Sequence, residues 1–413
     1  MLNAQCSMFN YIKMKKTIVF TLVLMCNILV FAQKAETIES FITNNHDKEW
    51  YKEQADVWQR IVDVNPKDQW AWRNLFRATN YYEMFANEYV GKQDESRTAD
   101  VIRKMEAILP DSYVLNLSKG RFCLSTDTAA KRGDNIYRAI DLMPADACAE
   151  DVDFLACRLW SIDPLNEKVK ELFIKAYQKR WFPGRIMQYN RNMLLSMQPG
   201  ALYFANGDVV TAPMKMIQEA LGERQDVTVI PISFFHSETF MKALYKRLNI
   251  KPLTIDVNDY GKYGDEWYKY YEADIIMYLI KESQRPTYFS TDILSQTKLD
   301  KDSIYNEGLL LKYSPRQYNN FDVAMRNVKE VYNLEYLAMP DLVYDTWITS
   351  QQLDLNNATL LSNLIQKFRK KGDNTQADRL YSILDKCLDR CQLFDHPETK
   401  EAVIKKFRED TQK

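Results

Sequence analysis

From Glu36 to Pro183 apolar residues recur at three- and four-residue spacing, the period of helices that bury one face. One ending closes several of these segments: "RIVDVNP" to Pro66, "KMEAILP" to Pro110, "RAIDLMP" to Pro144 and "CRLWSIDP" to Pro164. Proline lacks an amide hydrogen and holds the residue before it out of the helical region, so each marks a helix end. Pro110 and Pro144 are 34 residues apart, the tetratricopeptide period, and Trp72 and Leu75 fall where such a repeat places large first-helix residues. The intervals of 44 and 20 between the other prolines are irregular. The pattern predicts degenerate, tetratricopeptide-like helical hairpins over 33–184. The tail repeats the theme in "LLSNLIQKFRKKGDNTQADRLYSILDKCL", where Gly372 marks an inter-helix turn and Ala377 and Tyr381 follow at the small and aromatic positions of such a unit. Residues 346–413 are therefore expected to form a C-terminal helical hairpin or hairpins.

Between these parts the period changes. "ALYFA" (Ala201–Ala205) reads as a short buried strand after the turn pair Pro199–Gly200. Pro213 suits the first turn of the helix that follows and Thr211 can cap it. "VTVIPISFF" reads as a second strand, "ETFMKALYKRL" and "EWYKYYEADIIMYLIKES" as helices, "TYFST" (Thr287–Thr291) as a third strand and "LLLKYS" (Leu309–Ser314) as a fourth. Strands alternating with helices predict a Rossmann-like, mostly parallel, doubly wound sheet over 185–345. The fold class expected is thus α/β plus all-α, the sheet flanked by helical hairpins.

Composition narrows the function. With 55 Lys+Arg against 56 Asp+Glu, no strong field draws the 413-residue chain to nucleic acid or anionic lipid, and a nucleic-acid partner is not expected. Lys13, Lys15 and Lys16 precede the apolar run Thr17–Ala32, which Gln33 follows. This is the form of a secretory signal peptide over 1–32, shorter than the ~20 apolar residues of a membrane span. The mature chain is expected to be exported, to the periplasm or surface of a Gram-negative bacterium, without stable membrane insertion. Of seven cysteines, Cys6 and Cys26 fall in the leader, and the remaining five include no CxxC pair, so neither a disulfide framework nor a zinc site is indicated. Cys387 and Cys391 share a helix face and read as small buried side chains.

The candidate chemistry gathers in "GALYFANGDVVTAPMKMIQEALGERQDVTVIPISFF" (Gly200–Phe235). Asn206, Gly207 and Asp208 form a loop between a strand's carboxyl end and a helix, where open α/β sheets bind ligands. There is no GxGxxG and no P-loop lysine, and Asp208 would repel a phosphate. The loop is read either as a ligand site built from Asn206, Gly207, Asp208, Thr211 and His236, or as a turn in which Gly207 supplies the conformation and Asp208 caps amides. His236 follows the second strand and, beside Asp208, would form the one plausible acid–base couple. With three scattered histidines, no HExxH and no GxSxG, no catalytic residue, metal site or cofactor is assigned. In "DYGKYGDEWYKYYEAD", Tyr260, Tyr263 and Trp267 could stack on sugar rings; the alternative is an amphipathic helix with Trp267, Tyr271 and Ile275 inward. "RGD" (Arg132–Asp134) reads as a hairpin turn. "DTA" at Asp127 and "DSI" at Asp302 look like short O-glycosylation acceptor motifs.

The Gly200–Phe235 run, with "RPTYFSTD" from Arg285, "EGLLLKYSP" from Glu307 and the helical tail, resembles the extracytoplasmic domain of multi-spanning Bacteroidota proteins similar to protein O-mannosyltransferases of the C-type glycosyltransferase class. The resemblance covers Arg185 to Asp389. That family has an Asn-Asp pair after the NGD, where this chain has Val209 and Val210, and the membrane part that holds its catalytic loop has no counterpart here. The resemblance therefore implies a fold and a compartment. The function expected is an exported, non-enzymatic scaffold or binding protein engaging an envelope protein or glycan partner. The alternatives are an accessory subunit of a glycan or glycoprotein assembly system, holding saccharide at the Asn206–Gly207–Asp208 mouth, and, third, a hydrolase or transferase.

Overall fold

The computed structural model describes residues 34–86, 95–122, 129–291, 293, 299–339, 348–390 and 397–412. The expected signal segment, Asp127 and Cys391 lie outside them. The chain divides into two compact units, one ending at Arg132 and the other running from Gly133 to Lys413 and taking in Ser40–Asn45. The division falls inside the stretch expected as a single helical domain.

The first unit is built from α1 (Lys48–Val64), α2 (Gln69–Ala86), α3 (Arg97–Ile108) and α4 (Tyr113–Arg121). Here α1 packs on α2, which also meets α3 and α4, around Tyr51, Trp72, Ile102 and Met105. Helices α1 and α3 stop at Val64 and Ile108, just short of Pro66 and Pro110, as the proline rule requires. Side-chain amides hold the incoming strap: the Glu36 and Ile38 amides donate to Gln54 (2.9 Å) and Asn74 (2.8 Å). Buried Glu83 of α2 closes the amino end of α3, accepting from the Arg97 and Thr98 amides (2.7 and 3.0 Å) and the Thr98 hydroxyl (2.6 Å).

The division falls inside α5 (Ala129–Asp141), after which the second unit continues with α6 (Ala149–Ile162), α7 (Glu167–Gln178) and α8 (Gly184–Ser196). Arg132–Asp134 lies inside α5 and is not a turn. Then come β1 (Leu202–Ala205), α9 (Ala212–Leu221), β2 (Thr228–Pro231), α10 (Glu238–Leu248), α11 (Trp267–Ser283), β3 (Thr287–Phe289), β4 (Ile304–Asn306), β5 (Leu311–Tyr313) and α12 (Asn320–Arg326). Helices α13 (Ile348–Lys370), α14 (Asn374–Arg390) and α15 (Pro397–Gln412) close the chain. Gly372 turns α13 into α14 at φ +79°, and Ala377 is fully buried in that hairpin, as the tail pattern predicts. Cys387 is buried.

The strand order is β2-β1-β3-β5-β4. β1 runs parallel to β2 and β3, but β5 is antiparallel to both β3 and β4. The sheet is therefore mixed, not mostly parallel: the expected fourth strand is the return arm of a hairpin with β4. The second strand is also shorter than "VTVIPISFF". Its pairing ends where Pro231 meets Ala205, the last residue of β1, and Ile232–His236 turns as a 3-10 helix. Helix α8 is tied to the tail by the buried Arg185–Asp354 ion pair (3.1 Å).

Glu83→Ala should lower the unfolding free energy by roughly 2–3 kcal/mol, because two helix amides and a buried hydroxyl lose their acceptor. Urea denaturation followed by circular dichroism measures it, and an unchanged midpoint would contradict the cap.

Candidate functional site

All of β1 is buried, with hydrogen-bonded neighbours on both edges, so its carboxyl end opens between two parallel strands. The chain leaves there through Asn206 and Gly207. Gly207 takes φ +98° and ψ 147°, a region reserved almost entirely for glycine. A Cβ at this position would meet no atom within 4 Å, so the requirement is one of backbone conformation and not of space. A 3-10 turn, Asp208–Val210, leads into α9, with proline in its first turn.

Much of the loop's polarity is spent on its own shape. Asn190 of α8 donates to the Val209 carbonyl (2.8 Å), and the Thr211 hydroxyl donates to the Gly207 carbonyl (3.0 Å). Thr211 holds the cap position of α9, but its side chain makes no cap bond there: its hydroxyl points back into the loop as a donor. Asp208 is exposed. Its carboxylate acts on Cys157 of α6, whose thiol pKa is pushed well up by burial first, then by Asp153 and Asp208. Arg158 acts on the same thiol in the opposite sense.

His236 closes the 3-10 turn after β2. Its ring stacks on Tyr271 (5.4 Å between centroids, 18°) and meets the edge of Trp267 (5.8 Å, 73°), and burial lowers its pKa. The structure pairs His236 with α11 and does not form the acid–base couple with Asp208. The three aromatic candidates do come together. Tyr260 lies near Tyr263 (6.3 Å) and edge-on to Tyr271 (5.5 Å), and Trp267 is 6.0 Å from Tyr271. Trp267 and Tyr271 are half-buried and Ile275 and Tyr260 are buried, while Tyr263 and Tyr268 are 39% and 38% exposed. Tyr263 also lies flat on Tyr270, 3.8 Å away at 9°.

Two acidic residues of α11 escaped the sequence reading. Asp274 accepts from the Tyr260 hydroxyl at 2.5 Å and pins the 3-10 segment Val257–Glu266 to the helix. Glu272 is buried beside Tyr271, and burial raises its pKa to about 7. The available signal was a carboxylate one helical turn before the apolar pair Ile275 and Ile276. Among the described residues no three His, Cys, Asp or Glu side chains come together as a metal site, and no helix is long and apolar enough to cross a membrane.

Gly207→Val should cost roughly 1–3 kcal/mol of stability through backbone strain alone. A neutral shift in the urea midpoint would remove the left-handed turn. Glu272 predicts a pH dependence. Its folded pKa lies above its unfolded one, so unfolding releases a proton and stability falls as pH rises from about 4.5 to 7, by about 2–3 kcal/mol at most. His236, with a lowered folded pKa, works in the opposite sense below its unfolded value. The difference between wild type and Glu272→Gln isolates the carboxylate: the variant should lose the decline, and parallel pH–stability curves would refute its burial.

The model of one family, the TMEM260-associated domain 2, matches residues 186–332, from α8 through the whole sheet to the turn after α12. No curated protein matches the chain. The sheet module with the NGD loop and the aromatic cluster is accordingly similar to that domain, consistent with a protein O-mannosyltransferase-like relative.

Proposed function

We propose that this chain is an exported binding or scaffold protein that engages a protein or glycan partner in the cell envelope of a Gram-negative bacterium, without chemistry of its own. The observation that carries the reading is the aromatic platform. Tyr263 and Tyr270 stack in parallel at 3.8 Å, and Lys262 lies over the Tyr263 ring at 5.1 Å. Tyr263 and Tyr268 keep much of their surface open to water. Rings held flat and half-exposed offer an apolar face with polar edges, suited to the CH face of a sugar or to an aromatic side chain. The NGD loop supports the same reading, since Asn190 and Thr211 tie down its carbonyls.

The second reading is an accessory subunit of a glycan or glycoprotein assembly system that holds saccharide at the Asn206–Gly207–Asp208 mouth. Asp208 favours it, being exposed at the carboxyl end of β1 where α/β sheets bind ligands.

Tyr263→Ala should weaken binding of a saccharide found by glycan-array screening about three- to tenfold, the value of one stacking contact. Calorimetric titration reads it. Asp208→Ala should leave that affinity unchanged; the reverse pattern would move the site to the loop mouth. If no glycan binds, crosslinked capture by the secreted chain and its Tyr263→Ala variant tests a protein partner, and equal capture would overturn the platform.

A further inference from the structure

Beside the edge strand β2, helices α6, α9 and α10 enclose a cavity of about 90 Å³ on the second unit. Its apolar wall is Trp160, Phe240 and Leu244, and its polar side is Lys215, Arg247 and Thr228. Lys215 sits 5.7 Å over the Trp160 ring and is ion-paired with Glu219 one turn on in α9. Arg247, in the last turn of α10, donates to the carbonyls of Gln225 (3.1 Å) and Val227 (3.5 Å), and the Glu219 carboxylate acts on it from α9 without an ion pair. Arg285, just before β3, acts on Arg247 as a like charge. Thr228 opens β2, and its hydroxyl is buried with no hydrogen-bond partner.

The two cations that line the cavity, Lys215 and Arg247, share one carboxylate, Glu219. Burial depresses the pKa of Lys215 and of Arg247 and Arg285 depresses Arg247 further, while Glu219 acts on both in the opposite sense. Like charges brought together in a partly desolvated place are unfavourable unless an anion joins them. A buried hydroxyl without a partner at the same spot is a second unmet demand. The space has room for several waters or one tetrahedral oxyanion, but not for a sugar ring.

We propose that this cavity binds a single phosphate-class oxyanion, free or carried by a sugar or a lipid headgroup, between Lys215 and Arg247. The guanidinium of Arg247 at the rim supplies paired donors and the Lys215 ammonium supplies charge below it. The site lies apart from the aromatic platform and does not depend on the function proposed above.

The test uses the full mature chain and inorganic phosphate, with sodium chloride balancing ionic strength. Phosphate should raise the melting temperature in a saturable way that chloride does not reproduce. Arg247→Gln, a surface change checked for fold by circular dichroism, should weaken the apparent affinity about tenfold. A wild-type chain that responds equally to phosphate and chloride would overturn the site, and so would an Arg247→Gln variant with undiminished phosphate response. Glucose 6-phosphate against glucose, and phosphatidic acid against phosphatidylcholine vesicles, identify the carrier. Tighter binding than inorganic phosphate assigns the sugar ester, cosedimentation with phosphatidic acid alone assigns the lipid headgroup, and neither leaves the free ion as ligand.

Discussion

One guanidinium holds the start of the sheet. Arg224, at φ +47° in the loop between α9 and β2, donates to the carbonyls of Leu194 (2.8 Å), Met197 (2.9 Å) and Gln198 (3.1 Å). Those carbonyls lie at the carboxyl end of α8, where helix geometry leaves acceptors unpaired and the dipole is negative. The same guanidinium grips Asp226 (3.0 and 3.1 Å), whose carboxylate accepts from the Gly200 amide at 2.8 Å. The Arg224 bonds hold the Asp226 pKa down to about 2, so the lock stays ionised through the neutral range. Helix α8 and the first residues of β1 and β2 are thereby joined, and the Thr228 amide reaches the Ala201 carbonyl at 2.8 Å. With the amino ends of both strands set, the NGD loop and the His236 turn must leave from the opposite end.

What the sequence discloses follows from where the determining contacts lie. Helix α10 occupies the expected "ETFMKALYKRL", because its apolar stripe, its Ser237 cap and its final Asn249 at φ 54° are all local. β1 is legible as four consecutive buried residues. The β4–β5 hairpin is not: each strand has three residues, half-exposed for the most part, with no alternation to read. Its turn depends on Gly308, at φ +118°, where a Cβ would come 2.7 Å from the hydroxyl of Tyr332, 24 residues away in sequence. Such a fit is set by tertiary approach, and it turned an expected parallel strand into an antiparallel one. The candidate site divides the same way. Gly207 announced its turn, whereas the partner of His236 depended on which face of α11 meets the turn after β2.

The aromatic cluster shows two demands on one helix. Trp267, Tyr271 and Ile275 lie along the face turned inward, while Tyr263, Tyr268 and Tyr270 build an outer layer. Glu272 is a buried carboxylate on the same helix, which a packed core tolerates poorly unless it takes up a proton.

The two ends of the sheet carry opposite character. At the carboxyl end, Asp208 and Asp153 act together on Cys157, and a phosphate arriving there would meet like charge. At the amino end, Arg247 lines a cavity with Thr228, while Arg224 is already consumed by Asp226 and the α8 carbonyls. Parallel α/β sheets ordinarily receive anions at the carboxyl end, where loops and helix amino termini converge. Here the Asp208 carboxylate is exposed at that end, while Lys215 and Arg247 line a cavity beside β2. A neutral, hydroxyl-rich or aromatic ligand is the kind that the carboxyl end and the α11 platform do not repel.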